Sequence, residues 1–390
     1  MIAVLAPGQG AQTPGMLAPW LELPGVAEQV DEFSEACGLD LARLGTTAGA
    51  DEIRDTTVTQ PLIVALGVIV AGQLGLDTAD ERVVAGHSVG ELTAAAVSGA
   101  LSGRAAVALA GRRGAEMAAA CALVPTGMSA VLGGDPDAVA AAIEAAGLTP
   151  ANRNGAGQVV AAGALEALAE LAANPPAGAR VRPLPVAGAF HTHFMAPAEA
   201  ALAAYAASVE VREPRPILLS NADGSAVTSG DQLLARLVAQ VTLPVRWDLC
   251  MRTCADLGVS AALELAPAGT LTGIAKRELP GAELLAVKTP DDLHTARTLI
   301  ESRPAHGQGE HFLDFWVVST PAKGSFTRAE GLDEGTEVAR GTKLGAVRTN
   351  RDEHVIVAPH AGVLIEWLRS NDDIVAAGLP VARIAHGADL

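Results

Sequence analysis

Aromatic side chains are scarce in this chain: tyrosine occurs once, tryptophan four times and phenylalanine six times in 390 residues. Apolar residues still make up 49 %, much of it alanine. Such a composition supports a sizeable core of closely packed helices on a sheet and weighs against disorder. Cysteine is equally thin. Cys37, Cys121, Cys250 and Cys254 are too few and too scattered for a disulfide framework. Cys250 and Cys254 lie one helical turn apart, but no second ligand pair is near in sequence, so buried thiols are expected rather than a metal site. Positive charge is in deficit, with 27 Lys and Arg against 44 Asp and Glu and a net charge of −17. That balance disfavours non-specific binding to nucleic acid or anionic membranes. The longest apolar run, Pro61 to Leu76, is interrupted by Gly67, Gly72 and Gln73 and falls short of the ~20 residues that span a bilayer. The start of the chain lacks the basic segment of a secretory signal. A soluble, cytoplasmic protein is expected.

What is present is an alternation of short apolar runs with longer helical patterns. Ile2–Ala6, Arg82–Ala85, Ile217–Ser220 and Ala261–Leu265 read as buried strands. Thr59–Leu74, Glu91–Ala119 (broken near Gly99–Gly103) and Gly230–Val241 read as helices. This order predicts an α/β fold on a mainly parallel sheet, occupying residues 1–125 and 186–301. Between them, residues 126–185 follow a β-α-β-β-α-β order, the ferredoxin-like pattern, as an insertion. A polar stretch at 302–310 reads as a linker. Residues 311–390 carry short strands between Gly and Asp turns, which predicts a separate all-β module. A faint repeat, Thr320-Pro321-Ala322-Lys323-Gly324 and Ala358-Pro359-His360-Ala361-Gly362, suggests a sandwich of two similar halves.

The strongest chemical signal is Gly86-His87-Ser88-Val89-Gly90, directly after one predicted strand and before a helix. In that context G-x-S-x-G is a nucleophile elbow, which lifts Ser88 at the sheet edge beside a helix N-terminus. A serine needs a base within hydrogen-bond reach, and Phe190-His191-Thr192-His193 supplies His191 or His193 without separating them. The loop Gly8-Gln9-Gly10 after the first strand can aim backbone N–H groups at an anion. Arg113 stands in an alanine-rich helix. Its position alone leaves open a surface role and a planar fork held for a carboxylate.

Taken together and in order, these pieces resemble the malonyl-CoA:acyl-carrier-protein transacylase family, kin of polyketide acyltransferase domains. Further matching stretches are Thr59-Gln60-Pro61, Ala151 to Val160, Gln240 through Pro244-Val245-Arg246-Trp247, and Leu271 to Arg277. The likeness covers roughly residues 1–300 and implies a hydrolase-like α/β core. It implies Ser88 as nucleophile, His191 as general base, and the N–H groups of Gln9 and Val89 as oxyanion hole. It also implies Arg113 as partner of the malonyl carboxylate, and a main-chain carbonyl near Gln240 that orients the histidine in place of a triad acid. Phe190 resembles the residue found before the histidine in malonyl-selective relatives. This chain has Leu243 where the family usually has Asn, a change a backbone contact would survive. The implied partners are malonyl-CoA and an acyl carrier protein, with Arg112, Lys276 and Arg277 as contributors to a docking patch. A serine hydrolase with the same elbow is the enzymatic rival, and a scaffold carrying an idle acyltransferase is the non-enzymatic one.

Residues 311–386 resemble biotinyl/lipoyl carrier domains less closely. The attachment lysine of such domains is replaced here by Arg351, whose guanidinium stays protonated. No biotin or lipoate is therefore expected.

Overall fold

In the computed structural model the described residues are 1–76, 82–302, 315–349, 352–359, 361–376 and 379–386. They divide into two units, Met1–His306 and Gly307–Leu390.

Strands of the first unit are, along the chain, β1 (Ile2–Ala6), β2 (Val83–Gly86), β3 (Thr126–Gly133), β4 (Thr149–Gly155), β5 (Gln158–Ala164), β6 (Ala179–Pro183), β7 (Ile217–Leu219), β8 (Ala226–Val227), β9 (Ala261–Glu264) and β10 (Glu283–Ala286). β1, β2 and β9 are buried at every position, as continuous apolar runs must be when helices cover both faces of a parallel sheet. Six strands form the main sheet in the order β10-β9-β1-β2-β7-β8. Its pairings are parallel except β7 with β8. The structure therefore shows a mixed α/β fold on a mainly parallel sheet.

Helix ends follow capping chemistry more closely than hydrophobic periodicity. The helix expected from Thr59 begins at Thr56, because the Asp55 carboxylate accepts the Thr57 N–H at 2.8 Å. It runs to Gln73 and is the one helix, among the described residues, long and apolar enough to cross a membrane; 78 % of it is buried inside the protein. The pattern expected over Glu91–Ala119 is two helices, Gly90–Val97 and Gly103–Cys121. Ser102 restarts the second by capping the Ala105 N–H.

The inserted segment forms its own antiparallel sheet, β4-β5-β3-β6. The helices Pro136–Ala145 and Leu165–Ala173 pack on it around Val131, Ile143, Val159 and Leu171. Backbone bonds from Arg153 N to Val245 O and from Val245 N to Ala151 O lash β4 to the main body.

The second unit contains β11 (Phe315–Ser319), β12 (Gly324–Arg328), β13 (Glu337–Val338), β14 (Lys343–Arg348), β15 (Glu353–Val357), β16 (Gly362–Trp367), β17 (Ile374–Val375) and β18 (Pro380–His386). They form two four-stranded sheets, β11-β18-β16-β13 and β15-β14-β12-β17. Phe326, Leu344, Val347, Leu364 and Ile384 lie in its core. Arg351 and linker residues 303–310 lie outside the described residues.

The turn after β2 is packed to backbone contact. Ser88 sits at φ 53°, in the left-handed region that non-glycine residues seldom adopt. A Cβ on Gly86 would meet Gly90 O at 2.0 Å, and one on Gly90 would meet Ala6 O at 2.3 Å. Both obstacles are main chain, so neither can step aside. Gly90→Ala is therefore expected to lower stability by about 2–3 kcal/mol in chemical denaturation. Gly72→Ala, on an exposed helix position with open space around it, should leave stability level or raise it by up to ~1 kcal/mol.

Candidate active site

Ser88 Oγ lies 2.7 Å from His191 Nε2. The other ring nitrogen, Nδ1, is 2.7 Å from the main-chain carbonyl of Gln240. A carbonyl can only accept, so Nδ1 carries the proton and Nε2 is left as a lone pair facing the serine. His191 is itself at φ 61°, and its N–H is held by Val241 O. His193 is exposed and stacks on Phe194 with ring centroids 4.2 Å apart, which separates the two histidines. Leu243 is half exposed, and the contact to His191 comes from the Gln240 backbone, so the departure at that position leaves it intact.

Arg113 is 3 % exposed, which decides between its two readings: it is not a surface residue. Nη1–H donates to Gln60 Oε1 at 2.7 Å, and Nη2–H donates to Gln240 Oε1 at 2.8 Å. Nη2 also lies 3.4 Å from Ser88 Oγ. Among the described residues no carboxylate forms an ion pair with this guanidinium. A buried cation whose direct partners are neutral amides, next to a serine hydroxyl, has the chemistry to receive an anionic group.

Beneath the serine, Asn221 Oδ1 accepts the Ser88 N–H at 2.8 Å while its Nδ2 donates to Gly86 O at 2.8 Å. Glu91 is buried in the first turn of the helix Gly90–Val97 and accepts the Asn221 N–H at 2.6 Å and Gln240 Nε2–H. On the other side, His87 donates Nε2–H to Asn154 Oδ1 at 2.8 Å and meets the Trp247 ring edge-on at 5.5 Å. Asn154 belongs to β4, so the inserted sheet reaches the elbow directly.

Burial, with Arg113 close by, pushes His191 down to about 3. Burial likewise lowers Arg113 to about 10, against the opposing pull of Glu91, and raises Glu91 to about 7. Cys250 and Cys254 are buried, and burial raises both thiols, Cys254 to about 12. No metal-binding cluster occurs among the described residues.

Gln9 follows β1, where a Cβ on Gly8 would come within 2.5 Å of His87 O. Glycine at 8 thus lets the Gln9 loop approach the elbow. Val89 is the N-cap of the helix Gly90–Val97, so its amide lies at the open end of the helix. Phe190, directly before His191, is buried.

The structure brings Ser88, His191, Arg113 and Gln240 into one cluster. The sequence reading assigned no role to Gln60, Glu91, Asn154 or Asn221. A lone charge in an otherwise apolar helix, Gly90-Glu91-Leu92-Thr93-Ala94-Ala95, was a usable signal for Glu91. Asn221 stands in an ordinary polar turn after β7 and offered none.

Comparison with known proteins gives the family. Residues 4–301 match the acyl transferase domain family. A malonyl CoA-acyl carrier protein transacylase of Mycobacterium tuberculosis is 57 % identical over 296 residues, 75 % of this chain and 98 % of the relative. The protein of that name from Escherichia coli is 36 % identical over 311 residues, 76 % of this chain and 99 % of its own. The crystal structure of MCAT from Mycobacterium tuberculosis superposes with a TM-score of 0.74 at 56 % identity, covering 76 % of this chain and 99 % of that one. A structure described as a type II PKS acyl-carrier protein in complex with its malonyl-transacylase gives a TM-score of 0.71 at 30 % identity, covering 77 % of this chain and 99 % of that one.

The neutral imidazole has a measurable consequence. Covalent labelling of Ser88 by a fluorophosphonate should keep its rate from about pH 8 down to about pH 5, because His191 protonates only in strong acid, whereas an ordinary histidine would halve it near 6.5. His191→Ala should slow labelling by about 10²–10⁴-fold across that range. Loss of half the rate near pH 6.5 would show a solvated imidazole.

Proposed function

The chain belongs to the acyl transferase domain family, and from that premise we propose the course of its reaction: malonyl transfer from malonyl-CoA to an acyl carrier protein through Ser88. The observation that carries this reading is one oxygen, Ser88 Oγ, placed 2.7 Å from an imidazole nitrogen and 3.4 Å from a buried guanidinium.

His191 Nε2 takes the Ser88 hydroxyl proton as Oγ attacks the thioester carbonyl. The N–H groups of Gln9 and Val89 receive the oxyanion, where fixed donors in a dry site act most strongly. Collapse breaks the carbon–sulfur bond, and His191 returns the proton to the departing CoA thiolate. The carrier's phosphopantetheine thiol then gives its proton to His191 as its sulfur attacks the malonyl ester; collapse breaks the bond between Ser88 Oγ and the acyl carbon, and His191 returns the proton to Oγ. Two half-reactions through one site give ping-pong kinetics. Arg113 binds the free carboxylate of the malonyl group. Acetyl-CoA would leave that guanidinium buried without its anion, a heavy penalty. Phe190 crowds the space an α-methyl branch would need, which favours malonyl over methylmalonyl groups. A hydrolase with this elbow has no use for Arg113, and its usual triad carboxylate is replaced here by the Gln240 carbonyl.

The finer architecture belongs to the same reading. Residues 126–185 are a ferredoxin-like subdomain inserted in a hydrolase-like core of residues 1–125 and 186–301. After a linker at 302–310, residues 311–390 form a biotinyl/lipoyl-like sandwich without its attachment lysine. The enzyme works in the cytoplasm, with no metal, biotin or lipoate. For an acidic carrier, Lys276 and Arg277 are exposed in the last turn of the helix Thr270–Glu278. Arg277 shares a cleft with Arg180. Arg112 is already paired with Glu116 at 2.8 Å and contributes less.

Incubation with malonyl-CoA should add one malonyl group to the intact mass, lose it on addition of carrier, and fail in Ser88→Ala. The unreacted mass should show no cofactor adduct. Arg113→Ala should erase most of the preference for malonyl-CoA over acetyl-CoA, which a site built around a polar partner can make as large as ~10⁴-fold. Charge reversal at Lys276 and Arg277 should raise KM for the carrier while leaving acylation by malonyl-CoA unaltered. An unchanged KM would remove those residues from the docking surface.

A further inference from the structure

Gln240 touches the site twice, through its backbone carbonyl on His191 and through its side-chain amide on Arg113. The amide has two ends of opposite character, and only the Oε1 end can accept from the guanidinium. Oε1 accepts from Arg113 Nη2 at 2.8 Å. Nε2 faces a wall of acceptors: Glu91 Oε2, Ser88 O at 3.0 Å and Asn221 Oδ1 at 3.4 Å. Two of these are already committed. Ser88 O takes the Glu91 N–H at 3.0 Å, and Asn221 Oδ1 takes the Ser88 N–H at 2.8 Å. Asn221 cannot turn over, because its Nδ2 is pinned on Gly86 O. Glu91 is the partner that can only accept when ionised, and it makes the closest contact.

We propose that Glu91 is a positioning residue for malonyl selectivity: its carboxylate locks the Gln240 amide in the orientation that presents Oε1 to Arg113. The proposal rests on Arg113 being the partner of the malonyl carboxylate. In Glu91→Gln, the new oxygen stays on the Asn221 N–H, and the new NH₂ then meets the NH₂ of Gln240. Because Ser88 O and Asn221 Oδ1 still oppose turning the Gln240 amide over, the amide swings away from the new donor, and Oε1 is drawn off Arg113 Nη2. Arg113 keeps only Gln60 and leaves the place where it meets the carboxylate. The Glu91 carboxyl also opposes the effect of burial on Arg113, acting through the intervening amide.

The test measures kcat/KM at about pH 8.5, where the Glu91 carboxyl is ionised, for acylation by malonyl-CoA and by acetyl-CoA in the full chain, for the native enzyme, Glu91→Gln, Glu91→Asp, Arg113→Ala and the Glu91→Gln/Arg113→Ala double variant. Glu91→Gln should lower the malonyl-to-acetyl ratio by about 10–100-fold, the worth of one hydrogen bond to a charged group. Glu91→Asp keeps an acceptor-only group and should recover most of the ratio. In the Arg113→Ala background, Glu91→Gln should have no further effect on the ratio. A merely structural role would depress both substrates together and leave the ratio in place, and that result overturns the proposal, as does an equal loss of ratio with and without Arg113. If Glu91→Gln does not fold, Gln240→Met removes the same link from the other side and must lower the ratio; an unchanged ratio there also overturns it. Failure of Arg113→Ala itself to alter the ratio would instead refute the underlying reading of Arg113.

Discussion

Taking a guanidinium out of water costs several kcal/mol unless the protein replaces its hydration, and Arg113 is almost wholly enclosed. Gln60 from one helix and Gln240 from the end of another supply neutral oxygens, and Glu91 supplies a negative charge one amide further away. Placing the carboxylate in the second layer is physically telling. A direct ion pair would satisfy the cation fully and leave nothing for an incoming acid. Amide partners hold its geometry while its charge remains available.

The same enclosure governs the nucleophile. A cation 3.4 Å from Ser88 Oγ, together with burial, keeps His191 unprotonated, which is the state a general base requires. Among the described residues the imidazole has no carboxylate behind it; the Gln240 carbonyl fixes its tautomer and orientation by accepting from Nδ1–H. An anionic acid behind the imidazole would draw on the charge of Arg113. Serine, base and cation thus form one electrostatic unit, in which changing any member shifts the others.

Similarity to the transacylases ends near residue 301, and the relatives are covered almost to their full length. The second unit lies beyond that match and has its own core, while Ser88, His191, Arg113 and Gln240 all belong to the first.

Much of the fold was legible along the chain because buried parallel strands are written as unbroken apolar runs and their glycines mark places where backbone meets backbone. The elbow was legible for the same reason: Gly86 and Gly90 are required by contacts with main chain, which any folding of this segment must satisfy. Helix starts at Asp55 and Ser102 depended on single capping bonds, so periodicity placed one of them three residues late. Local sequence named His191 and Arg113 as candidates but left the role of base between His191 and His193, and Arg113 with two roles. Deciding between those roles took contacts across 103 residues from Ser88 to His191 and 127 from Arg113 to Gln240. Burial, tautomer and amide orientation are properties of what surrounds a side chain, and those surroundings exist only once β1, β2, β7 and the inserted sheet have closed around it.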